Sequence, residues 1–243
     1  MFRKVDFHVH TPASSCYEDH VNPELGLHTT PESIIGSALG SGINAIAIAD
    51  HNSAEGIDAV REAAADSDLT IFPAVELTVR GGHLLAVFDP DTPMETLRRL
   101  LSEMGFTEEH RGNGYLGVPL WMDEACRMIE ESGGMAIAAH ADRYPRGFLA
   151  SEEVSADKKR IHESPYLSAL EITNAADKSL WNEGQAPGYP KKYPCLQGSD
   201  AHSPGEIGRR WTHVDVPSVT LAGLRLALAD YRSSVRLPGE EDV

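Results

Sequence analysis

Cysteine is scarce: Cys16, Cys126 and Cys195 are the only three in 243 residues. An odd, scattered set gives no disulfide framework, and a cytoplasmic location is the default expectation. Aromatic residues make up only 7% of the chain. Trp121, Trp181 and Trp211 lie too far apart to read as a base-stacking platform. Basic charge is also in deficit, with 21 Lys and Arg against 37 Asp and Glu and a net charge of -16. Nucleic-acid affinity rests on cations that neutralise phosphates, so a broad duplex-binding surface is not expected. A deep pocket is a different matter, because bound divalent ions reverse the local field. No apolar run approaches the ~18 residues of a membrane span, and no membrane partner is expected. The opening MFRKVDFHVH enters a strand with no apolar leader core.

What the sequence has is alternation of short strands and helices. Val5 to His10 reads as a first strand. A helix follows near Thr30, where a threonine cap precedes Pro31 and Glu32. INAIAIAD is a buried strand closing on Asp50 and His51, and LTIFPAVEL is another, entering a hairpin at Gly81 and Gly82. Helical spacing covers Ala54 to Ala65, Pro93 to Met104, Trp121 to Ser132 and Thr220 to Tyr231. MAIAAHAD, LSALEITN, PCLQGSDAH and THVDV are strand-like, while 143–165 and 175–194 read as long loops. This alternation predicts an α/β parallel sheet or barrel, in one domain over 1–236 with 237–243 a frayed tail or the start of a linker. In such folds chemistry collects at the carboxyl ends of the strands.

The informative residues fall there. His8 and His10 end the first strand, and period-two alternation points both the same way. His51 ends the next, Glu76 lies near the end of the third, and His83 follows the glycine turn. His140, Asp200 and His202 end two later strands. Six of the eleven histidines therefore converge with two carboxylates, a ligand set that suits zinc, manganese or iron(II).

On DFHVHT, ADHN, PAVELT with GGHLLAVF, AIAAHAD and GSDAHS, the chain resembles the PHP (polymerase and histidinol phosphatase) family over almost its whole length. The resemblance implies a distorted seven-stranded β/α barrel holding two or three divalent metals. It implies one metal on His8, His10, Glu76 and Asp200, with Glu76 bridging to a second held also by His83 and His140. His51 and His202 would serve a third. Many relatives complete that third site with Asp or His where this chain offers Cys16, with Asp19 and His20 as fallbacks. A thiolate binds zinc well and manganese poorly, so the third site either prefers a softer metal or is weak or empty. The segment after GSDAHS resembles PHP domains fused to P-loop ATPases, which raises a fused or partner ATPase, although no G-x-x-x-x-G-K-[ST] loop occurs here.

The implied chemistry is hydrolysis of a phosphate ester, because metal binding makes water a nucleophile at neutral pH. Glu76, Asp200 and His202 lie closest to it, with His202 the general acid if it is not a ligand. Arg143 is the foremost candidate for phosphate recognition, followed by Arg209 and Arg210. Asp50 is a candidate to orient His51, and Asp142 a similar one. The leading expectation is a phosphoesterase acting on a small phosphorylated molecule or nucleotide. The alternatives are an exonuclease on single-stranded DNA or RNA ends and a non-catalytic PHP regulatory module.

Overall fold

The computed structural model describes residues 1–17 and 29–240. Its strands are β1 (Phe2–Val9), β2 (Ala45–Ile48), β3 (Thr70–Arg80), β4 (Gly82–Val87), β5 (Val118–Trp121), β6 (Met135–Ala138), β7 (Leu167–Glu171), β8 (Cys195–Leu196), β9 (Thr212–Asp215) and β10 (Val235–Arg236). Around them lie helices α1 (Pro31–Gly40), α2 (Ile57–Ala64), α3 (Met94–Glu103), α4 (Met122–Glu131), α5 (Ser155–Glu163), α6 (Lys178–Asn182) and α7 (Leu221–Ala229). The sheet runs β10-β9-β1-β2-β3-β4-β6-β7-β8, with β5 paired to β3 off this path. Beyond β8 the chain returns to β1: the His10 N–H donates to the Ala201 carbonyl at 2.9 Å, and Val9 bridges Ala201 in parallel. Seven strands thus close, nearly, into a distorted β/α barrel; β9 pairs antiparallel with the first half of β1, and β10 antiparallel with β9.

The barrel is not all parallel. β4 runs antiparallel to both β3 and β6. Gly81 and Gly82, at φ +108° and +139°, make the reversal tight, since a side chain is strained there. The reversal brings His83, at the start of β4, beside Thr78 near the end of β3. A parallel crossover would have sent it to the other end of the barrel.

Two apolar layers hold this frame. Phe72, Ala74, Leu85, Val87, Met135 and Ile137 pack inside with Leu224 of α7, while Ile46, Ile48, Val75 and Leu77 meet the outer helices. β1 switches faces part-way. Val5 and Phe7 belong to the inner cluster and Val9 to the outer one. The register between Asp6↔Ile46 and Val9↔Ile48 gives β1 one residue more than β2. Such a bulge re-aims side chains, and here it turns His8 and His10 inward.

Local signals explain the helix ends. The Thr30 side chain accepts from the Ser33 N–H, with Pro31 in the first turn. Two expected loops contain helices instead. α5 lies within 143–165 and α6 within 175–194. Among α5 residues only Ile161 and His162 are buried, so its apolar stripe is too thin to register as a helical period. Near the end of the described residues, Leu237 is buried and Glu240 accepts from Lys178 at 2.5 Å. No helix among the described residues is long and apolar enough to cross a membrane.

Candidate metal centre

Glu76 is the hub. It lies inside β3, which runs on to Arg80, rather than at a strand end. Its side chain is wholly buried. His83 Nδ1 stands 2.8 Å and His140 Nε2 3.0 Å from its Oε1. His51 Nδ1 stands 2.8 Å, His8 Nε2 3.3 Å and His10 Nε2 3.4 Å from its Oε2. Asp200 Oδ1 lies 3.4 Å from His8 Nε2 and 3.2 Å from His10 Nε2.

The outer partners decide which nitrogen of each ring carries its proton. His8 Nδ1 lies 3.0 Å from Glu171 Oε2, so that nitrogen donates and Nε2 faces inward with its lone pair. Ser14 Oγ donates to Asp50 at 2.7 Å and must accept from His10 Nδ1 at 3.0 Å, which leaves His10 Nε2 bare. His83 Nε2 donates to the Gly114 carbonyl at 3.0 Å, so its Nδ1 lone pair points at Glu76. His202 Nδ1 donates to the Asp200 carbonyl at 3.0 Å.

The bare Nε2 atoms of His8 and His10 then face each other at 3.1 Å, with two carboxylates beside them. Lone pairs and anions so arranged repel unless positive charge lies among them. Glu76 Oε2 and His51 Nδ1 are close, yet their geometry makes no hydrogen bond, and both are buried without a hydrogen-bond partner among the described residues. The donor set therefore fits divalent cations held by imidazole and carboxylate. Three sets of ligand atoms lie within 4.8 Å of one another: His8, His10, Glu76 and Asp200; His51, Glu76 and His83; His10, His51 and His202.

Titration behaviour reflects the same field. Burial works to raise Glu76, but His51, His83, His8 and a hydrogen bond from His140 hold it well below the carboxylate range. Burial also opposes the shift at Asp200, which His8 and His10 keep well below its ordinary value. Burial works to lower His8 and His51, yet Glu171, Glu76 and Asp200 lift His8 well above its usual value, and Glu76 with Cys16 lifts His51 to about 10. A field that draws protons there draws metal cations too. His10, by contrast, is pushed by burial down to about 3.

Cys16 is exposed at the mouth. Burial alone would raise its thiol, but hydrogen bonds with His202 and His51 bring it down to about 7. Asp19 and His20 lie outside the described residues.

Four supports were not read, or were misread, from sequence. Glu171 ends β7 and also accepts the His140 N–H at 2.7 Å; a carboxylate closing LSALE is the same signal that marked Glu76. Asp50 does not orient the His51 ring. It accepts from the Thr11 N–H and hydroxyl and from Ser14, and Ser14 in turn accepts the His51 backbone N–H. Asp142 caps the Thr173 and Asn174 N–H groups instead of a histidine. Asp6, raised by burial to about 6, accepts from Ser199 N–H at 2.8 Å and Gly208 N–H at 3.0 Å, fastening the Asp200–His202 loop to β1.

Backbone strain concentrates here as well. Among the described residues, the non-glycine positions with positive φ are Asn52 (50°), His140 (30°) and Asp200 (52°). Each costs of order 1–3 kcal/mol and persists where surrounding structure dictates it.

The centre opens into a cavity of ≈ 470 Å³ whose wall includes Cys16, His51, His83, His140, Arg143 and His202. Arg143 Nη2 lies 2.6 Å from Asp200 Oδ2. Arg209 does not line the cavity; its Nε donates to the Ser199 carbonyl at 2.9 Å and its Nη1 pairs with Glu206. Arg80 is not freely solvated: it stacks 3.9 Å over Trp121 and pairs with Glu153 at 3.5 Å.

Known proteins share this architecture. A PHP-associated family model matches residues 191–231, the stretch that carries Asp200 and His202. A lesion-specific endonuclease from Pyrococcus furiosus is similar over 98% of this chain and 58% of its own, at 19% identity and a TM-score of 0.71. Endonuclease Q bound to a 27-mer duplex with an abasic lesion matches 95% of this chain and 57% of its own, at 18% identity and a TM-score of 0.69. A two-domain protein from Bacteroides vulgatus, described as containing a predicted PHP-like metal-dependent phosphoesterase, matches 97% of this chain and 65% of its own, at 17% identity and a TM-score of 0.63. The chain thus spans under three fifths of the length of the two endonuclease chains. No curated protein matches the sequence. The chain has the PHP-type fold, a distorted β/α barrel with its buried histidine and carboxylate cluster at one mouth.

Proposed function

We propose that the chain is a metal-dependent phosphoesterase, with residues 1–236 forming the catalytic domain. The carrying observation is the buried Glu76 carboxylate, ringed by five imidazole nitrogens and opening into a cavity that Arg143 lines. Two or three zinc, manganese or iron ions fit this donor set. His8, His10, Glu76 and Asp200 would hold the first, and Glu76 with His83 and His140 the second. His51 and His202 would hold the third with Cys16. The nearness of His51 Nδ1 to Glu76 supports a share for His51 in the second site also.

Divalent ions bound there supply Lewis acidity, neutralising phosphoryl oxygens and making water acidic enough to attack at neutral pH. The protein's own residues do the rest. Arg143 presents a planar fork to a non-bridging phosphate oxygen, exchanging part of its contact with Asp200. His202, with Nδ1–H on the Asp200 carbonyl, keeps Nε2 available to hand a proton to the leaving oxygen when it is not a ligand. Its pKa is raised: burial opposes this, while Cys16 and Asp200 drive it.

A small phosphorylated molecule or nucleotide is the leading substrate. Nucleic-acid ends are the second reading, supported by the fold shared with endonuclease Q. Kinship with PHP domains fused to P-loop ATPases, and an ATPase partner, draws on sequence resemblance alone. Three free cysteines fit a cytoplasmic setting. The test is to load the protein with manganese or zinc, count metals per chain, and offer nitrophenyl phosphate, a nitrophenyl diester, nucleotides and end-labelled oligonucleotides. Turnover of any of the first three supports the leading reading, and stepwise shortening supports the second. A full metal complement with no turnover of any of them rejects both.

A further inference from the structure

Two tyrosines at the cavity mouth are largely exposed. Tyr115 is 79% exposed and Tyr144 65% exposed, and both line the cavity that contains His140, Arg143 and Asp200. Exposed aromatic rings normally lie on mobile surface, but the backbone beneath these is pinned. The buried Asn52 amide donates to the carbonyls of Asn113 at 2.8 Å and Leu116 at 3.0 Å. Asn113 Oδ1 accepts the Tyr115 N–H at 2.9 Å, and the Gly112 N–H donates to the His51 carbonyl at 2.8 Å. A Cβ at Gly114 would stand 2.7 Å from the His51 ring, so glycine lets this loop lie flat against the metal centre. The Tyr144 hydroxyl donates to Glu152 at 3.0 Å. Arg146 sits 5.6 Å from the Tyr115 ring centroid, and Arg143 reaches inward to Asp200.

We infer, on the phosphoesterase reading above, that this mouth receives a single nucleotide unit, its phosphate on Arg143 and its base stacked between Tyr115 and Tyr144. Tyrosine faces and guanidinium planes are the surfaces on which unpaired bases stack. Because the backbone under Tyr115 is held before binding, the loop itself needs little ordering to make the contact. The cavity volume, ≈ 470 Å³, is in the ~300–1,000 Å³ range of small-ligand sites. Charge limits the occupant to one unit. Outside the Tyr144–Arg146 wall a second hollow is bordered by Glu152 and Glu153, with Arg80 already paired to Glu153. A following run of phosphates would meet these carboxylates on a chain of net charge -16.

Calorimetry on the metal-loaded protein tests this with adenosine 5′-monophosphate against ribose 5-phosphate, which keeps the phosphate and lacks the base. The wild type should bind the nucleotide at least about tenfold tighter. Tyr115→Ala and Tyr144→Ala should each erode that preference, and the double variant should erase it without changing ribose 5-phosphate affinity. Tyr144→Phe, which keeps the ring and loses the Glu152 contact, should keep the preference. Equal affinity for the two ligands, or a double variant that still prefers the nucleotide, overturns the inference and leaves the phosphoesterase reading intact. Preferential binding without hydrolysis of any phosphoester rejects that reading while the platform stands. An end-labelled oligonucleotide that competes as well as the mononucleotide overturns the limit to one unit; absence of competition supports it.

Discussion

The protein buries histidine in two unlike settings. Around Glu76, imidazoles meet carboxylates and one another with bare nitrogens facing inward. His162, at the end of α5, is equally buried, but its neighbours are the rings of Trp181, Tyr189 and Tyr193 at 6.1, 5.1 and 5.1 Å. Its Nε2 has no hydrogen-bond partner among the described residues, and burial lowers its pKa to about 4. There the imidazole serves as a neutral flat ring in an aromatic pocket. Burial alone does not mark a metal ligand; convergence on a carboxylate does.

The largest expected effect breaks the first region. His8→Ala or Asp200→Ala should lower phosphoester hydrolysis roughly a thousandfold or more, the several kcal/mol that Lewis-acid stabilisation supplies. Far-UV circular dichroism should stay unchanged, and retained activity in either variant would refute the assigned site. Next comes Glu171→Gln, which weakens the acceptor behind His8 without touching an inward-facing atom. Metal affinity measured by competition with a chelator should fall roughly ten- to a hundredfold; an unchanged affinity removes Glu171 from the site.

Loading should also stabilise the fold. Metal at a hundred times its dissociation constant adds about 2.7 kcal/mol, a rise in Tm of roughly 5–10 °C for a chain of this size. The rise should survive His162→Phe and vanish with a chelator.

The smallest effect sharpens the second region. His162→Phe should leave hydrolysis within about twofold. Because the folded pKa of His162 lies below the unfolded 6.5, the unfolded chain binds more protons between about 4 and 6.5, and this group's stabilisation is lost as pH falls through that window. The variant should therefore show a flatter dependence of urea midpoint on pH between those values. An unchanged slope would mean that His162 is not the titrating group.

Much of this was legible before folding. Alternation in VDFHVHT places His8 and His10 on one side, and Thr30 with Pro31 announces α1. Strand-ending His51, His140 and Asp200 mark one end of a barrel. Other features were not visible in linear order. Glu171 shows in sequence only as a carboxylate closing a strand; that it meets both His8 and the His140 N–H is seen only once the strands are assembled. Asp50 sits next to His51 in the chain, yet its oxygens turn to Thr11 and Ser14. Tyr115 reads as one more residue in a turn-rich loop until Asn52 is found holding that loop at the cavity mouth.

The sequence by itself determined the chemistry on offer: which side chains can donate to a cation, and which local patterns make strands, caps and turns. Those depend on neighbours a few residues away, so they can be read along the chain. Tertiary structure alone decided that Glu76 is the hub, that a one-residue bulge turns β1's histidines inward, and that the chain beyond β8 returns to β1. Strand register and closure arise from pairings between segments far apart in sequence, whose energy does not exist until the segments meet.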